Sequence, residues 1–253
     1  EMFVILSGKI RIQQNPTGGA TLAELEEGST FGEMGLFRRA QRSATAIAVG
    51  ETRLLVINRD SLYHLMQQRP RIATTLFLNL ARQLRQAILQ TSQRVLDQVS
   101  KTQQEEAPPT SQPRPLMLNI FQGMTTKEQE SLRGFGVLRS LPQGEKIMNQ
   151  GEQGKEVLLL LQGQLKVQIN KDKGYVVLAL INPGNLVGET AWLEENLVRT
   201  ADVVAGTDSL GLFYNRLALE KLCTQESRLA ARFAFNLICL LADRLEAANE
   251  QLE

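Results

Sequence analysis

Phe31-Gly32-Glu33-Met34-Gly35-Leu36-Phe37-Arg38-Arg39-Ala40-Gln41-Arg42-Ser43 and Val187-Gly188-Glu189-Thr190-Ala191-Trp192-Leu193-Glu194-Glu195-Asn196-Leu197-Val198-Arg199-Thr200 decide the fold, because they are one local design written twice. Each sets Gly-Glu ahead of Arg-Ser/Thr, with nine residues from Glu33 to Arg42 and ten from Glu189 to Arg199. A lone Gly-Glu with an arginine at either spacing should arise by accident in roughly one chain in ten of this length. Two such segments inside a longer repeat are a much stronger signal.

The repeat extends in both directions at an offset of about 155 residues. Residues 3–12 align with 158–167, Glu27-Gly28 with Pro183-Gly184, Arg71 with Arg228, and Asn79-Leu80 with Asn236-Leu237. Self-similarity at a fixed period makes two copies of one domain the reading. Within each copy, short β-branched and aliphatic runs punctuated by Gly, Asn and Pro predict strands. These are Val4–Ile12, Thr45–Val49 and Arg53–Ile57 in the first copy, and Val157–Ile169, Tyr175–Ile181 and Leu210–Phe213 in the second. Gly8, Gly28, Gly163 and Gly184 are expected as turn residues with positive φ. Each copy then turns helical, with Leu62, Leu65, Met66, Ile72, Leu76 and Leu80 at three-to-four spacing, repeated over Leu217–Leu222 and Leu229–Leu245.

The first helical run is expected to continue through Val95 and Val99 until the proline cluster at 107–115, which reads as an extended linker. Beyond it, Thr125-Thr126-Lys127-Glu128 is a capping box that opens a further helix, and strands resume over Val137–Leu141 and Lys146–Asn149. The expected domains are therefore residues 1–92, a helical tail and linker at 93–115, and residues 116–253. The first copy has no counterpart of the segment before Glu156. It lacks its opening strands, and the start at Glu1-Met2 inside an apolar run is what a fragment would show.

Composition narrows the function classes. At 253 residues two domains are the starting expectation, and 28 basic against 27 acidic side chains give a net charge of +1. No overall field draws such a chain to nucleic acid or anionic lipid. The longest apolar runs, 157–161 and 233–242, fall short of the ~20 residues that cross a bilayer. Cys223 and Cys239 have no metal-ligand spacing and read as buried free thiols in a reducing, cytoplasmic setting. With one histidine, His64, on a helix far from any thiol or carboxylate cluster, neither metal site nor catalytic group is expected, and the chain is not read as an enzyme.

A compact anion suits the repeated segment. A Gly-initiated helical turn presents backbone N–H groups to it. Arg42 or Arg199 can then add a forked, charge-assisted pair of hydrogen bonds that Lys could not reproduce, and Ser43 or Thr200 a hydroxyl. Spacing alone fits an internal salt bridge between each arginine and the preceding glutamate equally well. Both segments resemble the phosphate-binding cassette of the cyclic-nucleotide-binding domain family, found in catabolite-activator-type regulators and protein kinase A regulatory subunits.

That resemblance implies two jelly-roll-like β-barrels with flanking N- and C-terminal helices, a mainly β fold with helices. It implies cAMP or cGMP as ligand, with no other cofactor, held by Gly32, Glu33, Met34, Gly35, Arg42 and Ser43 in the first copy. In the second copy the corresponding residues are Gly188, Glu189, Thr190, Ala191, Arg199 and Thr200. Glu33 and Glu189 would accept from the ribose 2′-hydroxyl, Ser43 leans to cAMP, and Thr200 leaves cGMP open. Trp192 fits packing on the barrel better than stacking on a base. The stripe from Leu76 to Val99 fits a homodimer seam, a ligand lid or packing against the barrel; its first half reads as packing, and its second half, Ile88 to Val99, equally as contact with a partner helix or another domain and as solvated linker. The implied function is a tandem sensor acting on an output domain or partner protein. The alternatives are a non-binding scaffold, a regulatory segment of a larger enzyme or transporter, and a transcription factor without its helix-turn-helix.

Overall fold

The computed structural model describes residues 1–13, 21–37, 44–102, 119–171, 174–194 and 198–250. They form two compact units, Glu1–Arg69 and Pro70–Glu253. The linker expected at 107–115 lies outside the described residues, as do Arg42 and Ser43.

In the first unit, β1 (Met2–Gln13) is the organising strand. It pairs antiparallel with β2 (Thr21–Leu25), β3 (Thr30–Phe31) and β4 (Thr45–Ile57). The Phe3 and Phe31 rings stack at 5.0 Å across the β1–β3 pair. A single-turn helix, α1 (Glu33–Phe37), carries the cassette and buries Leu36 and Phe37, and α2 (Arg59–Gln68) closes the unit. Asn58 caps α2 by accepting from the Ser61 N–H at 2.8 Å, one of the donors a helix start leaves unpaired. The two strands expected at 45–49 and 53–57 are one strand. Gly50 (φ 78°) and a register shift along β1 let the ladder continue where turn residues suggested a break. Among the described residues no strand pairs with the other edge of β4, and Leu55 and Val56 stand about half exposed.

The second unit opens with α3 (Pro70–Thr102), a helix of 33 residues. Pro70 suits this start, because the first helical position needs no backbone N–H. After α4 (Thr126–Gly134) come β5 (Val137–Leu141), β6 (Lys146–Met148), β7 (Glu156–Gln162), β8 (Leu165–Lys171) and β9 (Gly174–Ile181). Next are β10 (Leu186–Val187), α5 (Glu189–Trp192), β11 (Asp202–Ala205), β12 (Ser209–Asn215), α6 (Arg216–Gln225) and α7 (Ser227–Glu250). The capping box forms as its sequence predicts, with Thr125 and Glu128 satisfying each other's backbone N–H groups. The strand expected over 157–169 is two strands. Gly163 (φ 85°) turns the chain between β7 and β8, so each joins a different sheet.

These sheets, ordered β10-β7-β12-β5 and β6-β11-β8-β9, are the two layers of a jelly roll. Alternate residues of both fill one core, including Leu141, Leu158, Leu160, Leu165, Val203 and Phe213. At one end the Tyr214 hydroxyl, fully buried, donates to the Leu132 carbonyl at 3.2 Å and ties β12 to α4. The long helices α3 and α7 lie along each other. Phe77 meets Phe235 edge-on at 5.5 Å, and the Thr91 hydroxyl donates to the Asn249 side chain at 3.3 Å. Part of the apolar stripe on α3 is therefore packing against α7. Of the cysteines, Cys239 is buried and Cys223 partly so, both as free thiols.

Candidate functional site

β10 delivers the second cassette by ending at Val187, where Gly188 takes a left-handed conformation (φ 85°) and starts α5. Only glycine fits here. A Cβ would collide with the Arg199 guanidinium and come within 3.0 Å of the Glu156 carbonyl oxygen, apart from the φ itself. α5 has only four residues, so an aligned helix dipole adds little. Positive charge at the site comes mainly from arginine.

Arg199 is fixed at both levels. Its backbone N–H donates to Glu152 O at 2.7 Å, and its own carbonyl accepts from Gly151 N–H at 2.8 Å. Its side chain, 9% exposed, donates from Nη1 to Gly188 O at 3.0 Å and from Nη2 to Glu156 O at 2.7 Å. Burial lowers its pKa from the ordinary value, against the opposing charges of Glu189, Glu156 and Glu152, and an arginine so shifted is still charged. Two carbonyls thus hold the guanidinium against the cassette turn, and the Arg199–Glu189 salt bridge that spacing allowed is not what holds it.

Glu189 is paired with Arg244 of α7, which sequence reasoning missed. Nη1 of Arg244 binds Glu189 Oε1, and Nη2 binds the Leu186 carbonyl. Glu189 is 2% exposed, and its Oε2 is left without a partner, as is Arg244 Nε. A buried carboxylate oxygen lacking a donor is costly, and a ligand hydroxyl could satisfy it.

These groups line a cavity of about 420 Å³. Gly188, Glu189, Thr190, Arg199 and Thr200 line it, and Ala191 lies on α5. Val167, Ile169, Leu178 and Ile181 make an apolar wall. Trp192 is not on the lining and its carbonyl accepts from Arg216 Nη2 at 3.4 Å, consistent with a packing role. The remaining wall is helical, one of the roles that the stripe from Leu76 to Val99 allowed. It consists of Ile88, Leu89, Ser92 and Gln93 of α3 with Ala247 and Ala248 of α7. The signal for Arg244 was present in the sequence, as a charged residue within the apolar helix Leu240–Leu245. For the α3 residues there was only a periodic stripe.

In the first unit Gly32 (φ 77°) precedes α1, where Glu33, Met34 and Gly35 lie. Arg59 donates to the Leu36 carbonyl from Nε at 3.1 Å and from Nη2 at 2.6 Å, the counterpart of the Arg216 contact in the other unit. With Arg42 and Ser43 outside the described residues, the first cassette is seen only in part.

The model of the cyclic nucleotide-binding domain matches residues 1–69 and 138–226. The cyclic AMP receptor protein of Thermus thermophilus is 41% identical over 91 residues, which is 35% of this chain and 42% of that protein. The cGMP-dependent protein kinase egl-4 of Caenorhabditis briggsae is 24% identical over 206 residues, 81% of this chain and 22% of that protein. The chain thus spans about two fifths of the first and about a fifth of the second. Among solved structures, the catabolite activator protein of Thermus thermophilus is similar with a TM-score of 0.46 and 30% identity, over 53% of this chain and 61% of that one. The repeated cassette, the jelly-roll sheets and a family match in two segments covering more than half the residues agree: the chain belongs to the cyclic nucleotide-binding domain family, in two tandem copies.

Proposed function

We propose that the chain is a tandem cyclic-nucleotide sensor, non-catalytic itself, that passes ligand occupancy to an output domain or partner in the cytoplasm. One observation carries this reading. In the second unit a buried guanidinium, Arg199, stands in the same cavity as Glu189, a buried carboxylate with one oxygen lacking a donor. That is a cation for a cyclic phosphate beside an acceptor for a sugar hydroxyl. Thr200 and Thr190 add hydroxyls at the same end. The first copy would use Gly32, Glu33, Met34, Gly35, Arg42 and Ser43 in the same way. Residues 1–92 and 116–253 are the two proposed domains, joined by 93–115. The names of the relatives support cAMP or cGMP as ligand. Ligand would act by favouring one arrangement of the helices after the barrel over another, and α7 is tied to the cassette through Arg244. A homodimer through α3 would have to use the face not committed to α7.

The Arg244–Glu189 pair also favours a second reading, in which the second copy holds its helix without ligand and serves as scaffold. Calorimetric titration of cAMP and cGMP into wild type, Arg42→Ala and Arg199→Ala separates the two. The sensor reading expects binding in the wild type and the loss of one site in each variant. Silence with both nucleotides in the wild type would leave the scaffold.

A further inference from the structure

α5 is too short to hold its own shape. Its four residues form a single turn, and an isolated helix of that length does not persist in water. The Leu193 N–H closes the turn on the Glu189 carbonyl at 3.0 Å, but the carbonyls at the far end have no partner within the helix. Three arginines from other elements meet that end. Arg216 of α6 donates to the Trp192 carbonyl at 3.4 Å, Arg82 of α3 donates from Nε to the Leu193 carbonyl at 2.8 Å, and Arg85 of α3 pairs from Nη1 with Glu194 Oε2 at 3.0 Å.

The two α3 contacts are built to constrain the cassette. The Arg82 guanidinium is itself steadied by Asn79, whose Oδ1 accepts from Nη1 at 2.7 Å. The Arg85 side chain is 8% exposed and that of Glu194 37%. Arg85 is thus the packed member, and Glu194 supplies the opposite charge that a buried guanidinium needs. Glu194 also begins the stretch that leads to Arg199, whose backbone is fastened on the other side to Gly151 and Glu152. Neither Arg82 nor Arg85 lines the cavity, so both act on the site from behind the cassette. The repeat shows that the device serves one cassette. Asn79 and Asn236 occupy matching positions, which sets Arg82 against Cys239 and Arg85 against Ala242 of α7, neither of which carries a guanidinium. Asn236 donates instead to the Ile120 and Gln122 carbonyls.

We infer that Arg82 and Arg85 are positioning residues of the second ligand site, which therefore extends beyond the second copy into the helix that follows the first. They hold the end of α5 and Glu194, and through them the placement of Glu189 relative to Arg199, the acceptor for a sugar hydroxyl and the cation for a phosphate. This rests on the cyclic-nucleotide reading given above. Because the two arginines touch the cassette and not the ligand, loosening them weakens every cyclic nucleotide alike.

The experiment uses the full chain carrying Arg42→Ala, so that calorimetry reports the second site, and titrates cAMP and cGMP into this parent and into versions that add Arg82→Met, Arg85→Met or Arg85→Lys. The sole tryptophan, Trp192, lies in α5 and gives the same site an optical signal. Methionine suits a helix, and the Glu194 left behind is exposed enough to be hydrated, so urea midpoints should hold. The expected result for each methionine variant is a roughly tenfold rise in the dissociation constants of both nucleotides, the worth of one charge-assisted hydrogen bond, with their ratio unchanged. Arg85→Lys keeps a charge opposite Glu194 and should stay close to the parent. Glu194→Gln breaks the same pair from its exposed side, without touching the helix packing, and should weaken both nucleotides even where a methionine variant fails to fold. Parental affinity in the folded variants overturns the inference while leaving nucleotide binding intact, and so does a loss confined to one nucleotide, which would place the effect at the base. If neither emission nor heat registers a ligand in the parent, the cyclic-nucleotide reading of this site falls, and this inference with it.

Discussion

The Arg199 guanidinium donates to the carbonyl of Gly188 at 3.0 Å, so the residue that would grip the ligand is held by the residue that opens the cassette. A side chain at position 188 must therefore disturb both the backbone and the arginine. Gly188→Ala is expected to cost about 1–2 kcal/mol for the left-handed conformation alone. It should also weaken nucleotide binding at the second site more than a comparable loss of stability elsewhere. Urea denaturation and calorimetry on the same samples separate the two effects, and wild-type affinity in the variant would refute the arrangement.

Glu189 and Arg244 form a buried pair with unequal members, 2% and 15% exposed at the side chain. Removing the cation strands a buried carboxylate, whereas removing the carboxylate leaves an arginine that can reach toward water. Arg244→Ala is expected to cost about 3 kcal/mol or more, and Glu189→Gln less. A double-mutant cycle from denaturation midpoints reads the difference, and equal costs would contradict the asymmetry in burial.

Leu160 sits fully buried between the two sheets of the jelly roll. Leu160→Ala should destabilise by about 2–5 kcal/mol through lost contact and the cavity left behind. A shift of less than 1 kcal/mol in thermal or chemical unfolding would mean that the site collapses freely, contrary to close packing from both layers.

Asp202 accepts from Lys146 Nζ at 2.8 Å and from the Gln150 backbone N–H at 2.8 Å. The Lys146 ammonium, then the backbone donor, hold its carboxyl below the ordinary value. A carboxylate with a lowered folded pKa stabilises the fold above its unfolded pKa, about 3.9, and loses that contribution as pH falls below it. Stability should therefore decline on acidification through pH 4, less steeply in Asp202→Asn. Denaturation midpoints measured between pH 3 and 6 check this, and parallel curves for the two proteins would count against it.

Much of this was legible in the sequence, for identifiable reasons. The repeat gave the fold because both copies carry the same strand, turn and cassette residues, and Thr125 and Glu128 announced their helix through a local hydrogen-bond pattern that needs no distant partner. The expected contacts of Glu189 and Arg199 were less secure. Both do line the cavity, but Arg199 is braced by carbonyls of Gly188 and Glu156, which no side-chain pattern reveals. Arg244, Ser92 and Gln93 reach the cavity across long stretches of chain. Periodicity tells which face of a helix is apolar and says nothing of what that face meets. Strand limits failed at Gly50 and Gly163 for a related cause. A glycine with positive φ either bulges a strand or ends it, and pairing partners decide which.

The grouping of α3 with the later unit bears on how such a gene could be recombined. A duplication would suggest interchangeable modules cut at the proline cluster. Exchange there would bring in a foreign α3 alongside a foreign first module and replace one wall of the cavity in the unit left behind. Exchange at Arg69-Pro70 would leave that unit's chemistry whole. Homologous shuffling between relatives should therefore succeed more often at the earlier junction, and chimaeras made at the later one should have to re-form the packing of α3 against α7.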